Sequence, residues 1–157
     1  MELIIQPHVG IGPVRLGMKR DTVRTILGGL GGGNPVARSA DIDCFFRNSL
    51  QVSFEPDETA SFIEVASDAE WICLFEGTDV FDTPADDLLR HIERFDSPDP
   101  LLSMKNDYVF SSLILTLWEA DSQYDCKRGE TRGIFGAVGI GDDRYLAAIR
   151  ALAARRH

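Results

Sequence analysis

Two helix-plus-antiparallel-sheet units in tandem, closed by a C-terminal helix, make an α+β protein the expected fold of this chain. An apolar pattern recurs at one constant offset along the chain: Val23 and Leu27 fall on Leu88 and Ile92, Phe45 on Phe110, Leu50 on Leu115 and Val52 on Leu117. Period-two alternation with intervening turn tracts marks antiparallel strands after each of these helices. A last apolar-periodic stretch behind Asp142 and Asp143 reads as a capped helix. Residues 1–157 are therefore read as one compact unit of two repeats, 1–70 and 71–157.

In the first repeat, Val14–Met18 leads into a helix over about Arg20–Leu27, which Gly28 and Gly29 stop. The tract LGGGNPVARSAD is too rich in Gly, Pro and Asn to order by itself. Strands follow at Asp43–Arg47, Leu50–Glu55 and Ser61–Ser67. Leu50, Val52 and Phe54 alternate with Gln51, Ser53 and Glu55, and EPDETA supplies the turn of a meander.

The second repeat opens with a strand at Ile72–Phe75 and the lead-in GTDVF. Thr83 is placed to cap a helix over about Pro84–Phe95, with Pro84 at its first position and Asp86 and Asp87 in its first turn. Strands are expected near Tyr108–Phe110, Leu113–Glu119 and Ile134–Ile140, and the last helix over Arg144–Ala154. Leu113, Leu115 and Leu117 share the core face, which puts Ile114, Thr116 and Trp118 on the other.

Composition narrows the function classes. Apolar residues make up 44% and charged ones 26%, values of a folding domain rather than a disordered chain. No apolar run approaches a membrane span, and MELIIQPHVG lacks the basic start and long apolar core of a signal peptide, so cytoplasmic residence is expected. Cys44, Cys73 and Cys126 show no metal-ligand or disulfide spacing; the first two read as core thiols, and Cys126 as lying in a charged loop.

The net charge of -9 is unevenly placed: residues 41–125 hold twenty acids against four bases, while the segments on either side are net basic. A middle of that density repels phosphate backbones, so nucleic acid is not the expected partner, and a basic protein is. Gly10–Arg15 lacks the third glycine of a dinucleotide fingerprint, and Gly28–Gly33 lacks the Lys of a phosphate loop. His8, His91 and His157 have no ligand-spaced companion, and no nucleophile elbow occurs. Asp86-Asp87, Asp142-Asp143 and Asp41-x-Asp43 read as helix-start or turn acids, and no calcium-loop register is present. No enzyme activity, metal or cofactor is expected.

If helices cover one sheet face only, Trp118 and Trp71 are the expected apolar anchors of a partner-binding face, with Glu119, Glu76 and Glu64 as the acids around them; if the C-terminal helix covers the second face, the tryptophans are core. The alternative on the same chain is a small-molecule or enzyme pocket between the repeats, built from His91, Arg90 and Tyr108. The chain is expected as a monomer or a homodimer paired through a sheet edge.

The segment Gly12-Pro13-Val14-Arg15-Leu16-Gly17-Met18-Lys19-Arg20-Asp21-Thr22-Val23-Arg24-Thr25-Ile26-Leu27-Gly28 resembles the Gly-Met…Val…Leu-Gly signature of helix-over-sheet repeat proteins. These include the small outer-membrane assembly lipoprotein type and the beta-lactamase inhibitor protein type. The resemblance implies tandem modules whose concave sheet binds another protein. The chain lacks the lipobox cysteine of the one and the paired cysteines of the other, and so looks like the cytoplasmic bacterial proteins with this signature, some of which resemble toxin-neutralising immunity proteins.

Overall fold

The computed structural model of the chain describes residues 1–118, 122–125 and 129–156. The first half runs β1 (Glu2–Gln6), β2 (Gly10–Ile11), β3 (Val14–Arg15), α1 (Arg20–Gly29), β4 (Val36–Ser39), β5 (Ile42–Phe45), β6 (Leu50–Phe54) and β7 (Ala60–Ala66). The second runs β8 (Ile72–Phe75), β9 (Thr78–Asp79), α2 (Ala85–Ile92), β10 (Tyr108–Phe110), β11 (Leu115–Trp118), the hairpin β12 (Ser122–Asp125) and β13 (Glu130–Gly133), then β14 (Ala137–Gly141) and α3 (Asp143–Ala154). The fold is α+β.

The offset that relates the two apolar patterns recurs in the strand ladders. Phe45 pairs with Leu50 across β5 and β6, and Phe110 pairs with Leu115 across β10 and β11. β6 then pairs with β7 as β11 pairs with β14, and β7 and β14 close on each other with Ile63 opposite Ile140 and Val65 opposite Val138. The result is a seven-stranded antiparallel sheet in the order β10-β11-β14-β7-β6-β5-β4. A five-stranded sheet, β3-β2-β1-β8-β9, joins the halves a second time through the parallel pair β1 and β8.

One core serves both halves. Val23 and Leu27 of α1, Leu88 and Ile92 of α2, and Leu50, Val52, Leu115 and Leu117 of the large sheet belong to one buried cluster, which Leu3, Ile5, Cys73 and Phe75 of the small sheet complete. The opposite face of the large sheet is partly covered by α3, where Ile114, Val109, Leu146 and Ala153 form a second cluster. Gly139 and Gly141 make that docking possible. A Cβ at Gly139 would lie 2.7 Å from Phe62 Cε2 and 2.8 Å from Thr116 Oγ1, and Phe62 itself stacks on Tyr145 of α3 with centroids 4.0 Å apart.

Several elements differ from the sequence-based expectation. β4 forms within the tract expected to stay irregular, because pairing with β5 supplies the order that its composition does not. β1 has no counterpart in that expectation; its partner β8 lies in the other half of the chain, beyond the reach of a local pattern. Thr83 does not cap α2: its hydroxyl donates to the Asp79 carbonyl at 2.7 Å, so Pro84 occupies the cap and the helix is shorter. Strand β11 starts at Leu115 because Ile114 takes a positive φ of 49° in the turn before it. β14 likewise starts later than expected, at Ala137. Asp142 does cap α3, accepting from the backbone N–H groups of Arg144 and Tyr145.

Asp43 overturns its reading as a turn acid. It lies on β5, 0% exposed, beneath α1, where Arg20 Nη2 and Nε donate to it at 2.7 and 3.1 Å and Arg24 Nε and Nη2 at 2.7 and 3.0 Å. Burial pushes the carboxyl up, but the hydrogen bonds from Arg20 and Arg24 outweigh it and hold the group at about 2. The same partners raise both guanidiniums, and Arg20 also meets Glu58 at 3.3 Å. The equivalent positions in the second repeat are Ala85, Leu89 and Tyr108, so α2 is held by apolar contact where α1 is held by charge.

Leu50→Ala and Leu115→Ala are each expected to cost about 2 to 5 kcal/mol in urea unfolding, since both are fully buried in equivalent places. Because the Asp43 carboxyl is depressed from 3.8 to about 2, its linked stability is complete above pH about 4. It should be lost as pH falls towards 2, by about 2 kcal/mol. Asp43→Asn should flatten that acid limb and lower stability at pH 7 by about 3 to 5 kcal/mol, two guanidiniums being left without their carboxylate.

Candidate functional site

The structure separates the residues that sequence reasoning groups as one binding face. Trp71 is 1% exposed within the main core, its indole N–H donating to the Ala66 carbonyl at 3.1 Å and its ring meeting Phe46 edge-on at 5.3 Å. It fills the junction between the halves and is no surface anchor. Trp118 does lie on the face opposite the main core, but that part of the face is covered: it packs half-buried against the α3 cluster, and its indole N–H is buried with no hydrogen-bond partner among the described residues. The helix that covers it is expected from sequence, and its docking on this face is the arrangement in which Trp118 belongs to the packed interior. Glu119 lies outside the described residues, as does Cys126.

Glu64 sits on the same sheet face as Trp118, on the side towards β4, where it accepts from Gln51 Nε2 at 2.6 Å. Gln51 Oε1 in turn accepts from Arg38 at 3.3 Å, so this half of the face is an ordered polar surface. Cys44 is buried beside it, which pushes its thiol up. Tyr145 is raised likewise, by burial first and then by the charge of Glu64.

The residues of the alternative pocket do not converge. His91 Nε2 lies 3.2 Å from the Phe75 carbonyl, Arg90 pairs with Asp87 on the helix surface, and Tyr108 packs on Phe135. An apolar groove of about 310 Å³ does exist, but Leu101, Leu102, Ala153 and Ala154 that wall it all come from the second half. Among the described residues no group of three His, Cys, Asp or Glu side chains is arranged to hold a metal ion, and no helix is long and apolar enough to cross a membrane.

Glu76 stands elsewhere, on the small sheet. With Gly77 it forms the two-residue turn between β8 and β9, both at positive φ (46° and 78°), where the glycine carries the conformation at no steric cost. Beside it is the outer face of β1 and β8. Leu3, Ile5, Cys73 and Phe75 point into the core, so strand alternation turns Ile4, Ile72 and Leu74 outward. Ile4 is 43% and Ile72 41% exposed. Glu2, Glu70 and Glu76 surround this strip, exposed and without an ion-pair partner among the described residues, and Asp79 is the cross-strand neighbour of Leu74. Sequence reasoning finds Glu76 but misses the strip, because it does not assign Glu2–Gln6 to a strand. The alternation of Leu3 and Ile5 with Glu2, Ile4 and Gln6 is its only local signal.

Comparison with known proteins finds no family model that matches the chain, and no curated protein or solved structure similar to it.

The two tryptophans give a direct check on this placement. Trp71→Ala is expected to cost about 3 to 5 kcal/mol and Trp118→Ala about 2 to 4 kcal/mol, the lower figure because Trp118 is only half-buried. Thermal melts of both variants measure it, and a melting temperature unchanged in Trp118→Ala would return that residue to the surface.

Proposed function

We propose that this chain is a non-catalytic protein-binding module, immunity- or inhibitor-like, that uses an acidic sheet face to hold a basic, toxin-like protein partner in the cytoplasm. The observation that carries the reading is the outward strip of Ile4, Ile72 and Leu74 set among the exposed carboxylates Glu2, Glu70 and Glu76. An apolar centre inside a charged rim is the anatomy of a protein interface. The charge of the chain favours a cationic partner: the middle segment that supplies Glu70 and Glu76 holds twenty of the 25 acids.

Affinity capture with the tagged chain from its native host tests this. One basic protein should be retained in stoichiometric amount at low salt and released faster at about 1 M salt, where screening reaches within about 3 Å. Recovery of no partner by a purified chain that instead turns over a metabolite would overturn the reading.

A further inference from the structure

Parallel strands are as a rule buried on both faces, since the crossovers that join them lay other elements over each side. The pair β1 and β8 breaks that rule. Its inner face completes the main core, while its outer face leaves Ile4 and Ile72 more than two-fifths exposed. Two isoleucines and a leucine side by side on a sheet form a contiguous patch, unlike the scattered single exposures that any surface shows.

Glu2 stands beside Ile72 and Asp79 beside Leu74, and further carboxylates lie at the two ends of the patch. Beyond Ile72 a depression of about 480 Å³ is lined by Glu70, Asp79 and Asp82. Beyond Ile4 and Leu74 a second, of about 370 Å³, is lined by Glu76 and Gly77. The chain from Glu70 to Glu76 covers about 20 Å at strand rise. Two cations stand near the patch: the Met1 ammonium, which lines the first depression and donates to the Glu70 backbone carbonyl at 3.0 Å, and Arg15, two strands away from β1 on β3.

Resting on the protein-binding reading above, we infer that the outer seam of β1 and β8 is the docking site. Its occupant is an extended apolar segment of a partner protein, bracketed by two Lys or Arg side chains at the spacing of Glu70 and Glu76. Ile4, Ile72 and Leu74 take the apolar stretch. Glu70 receives one cation, and Glu76 the other. A second copy of this chain fits poorly, because facing seams would bring like-charged rims together.

The test uses the whole chain with a photo-crosslinking residue at Ile72, and separately at Gln51 and Leu101, exposed to native-host lysate. A defined probe accompanies it: a short synthetic peptide of alternating Ile and Thr between terminal lysines, its length matched to the span of the seam, followed by amide chemical shifts. The adduct should form from Ile72 alone and fall at least tenfold in the E70K/E76K double variant but not in E93K, a charge reversal at the end of α2. Peptide shifts should cluster at Ile4, Ile72 and Leu74, and vanish when glutamates replace the peptide's lysines. All three reversed positions are exposed, and unchanged melts will show that folding is intact. Adducts from Gln51 or Leu101 only, peptide shifts elsewhere, or indifference to E70K/E76K would overturn the seam while leaving the protein-binding reading standing. No adduct from any position would overturn both.

Discussion

Each half of this chain ends its meander on a strand whose outer edge, left alone, would present a row of unpaired N–H and C=O groups. β7 and β14 remove that exposure by pairing with each other, Ile63 against Ile140 and Val65 against Val138. A ladder so placed fixes more than an edge. It sets the side-chain alternation of all seven strands at once, so that Leu50, Val52, Leu115 and Leu117 face one common interior. It also places Gly139 opposite Glu64, at the centre of the other face, where the missing side chain admits the Phe62 ring and, through it, Tyr145 of α3. A one-residue slip would bring Val138 or Ile140 to that spot and lift the helix.

The two halves solve the same packing problem by different chemistry. Both helices present three buried positions at the same offset, Arg20, Val23 and Leu27 in α1 and Ala85, Leu88 and Ile92 in α2. Where the second half closes with Ala85, Leu89 and Tyr108, the first places two guanidiniums on one buried carboxylate. Such a pair of bidentate contacts is stringent in direction, and it adds little net stability over an apolar substitute. Its consequence is specificity: α1 is held at one rotation over β5, and Arg20 ties the turn at Glu58 to the same point.

How far these features are legible in the sequence depends on the range of the interaction behind each. The helix and strand periods of Val23, Leu27, Leu50 and Val52 are local, and their recurrence at Leu88, Ile92, Leu115 and Leu117 doubles their weight. The cap at Asp142 is equally local. What cannot be read is pairing at a distance: β1 with β8, and Asp43 with Arg20 and Arg24; the sequence allows α3 on the second face without deciding it. The candidate site suffers most, because it depends on β1. Trp118 and Trp71 stand out as large residues in an acidic region, yet charge along a sequence says nothing about which side of a sheet a ring occupies. Glu76 is found for its charge, while nothing local marks the isoleucines beside it as outward-facing.

The two components of the proposed surface would do different work, and this decides which residues carry recognition. A chain of net charge -9 attracts any cation, and at physiological salt that attraction fades over about 8 Å, so the acids can speed encounter without selecting a partner. Selection requires contacts that only one geometry satisfies. Ile4, Ile72 and Leu74 supply these, since a strip two strands wide on a stiff sheet accepts an apolar segment at few registers. The charges at its ends then penalise every register but the one that brings a cation to each. Affinity would therefore reside mainly in how slowly the apolar strip releases its partner, and the rate of capture in the carboxylates.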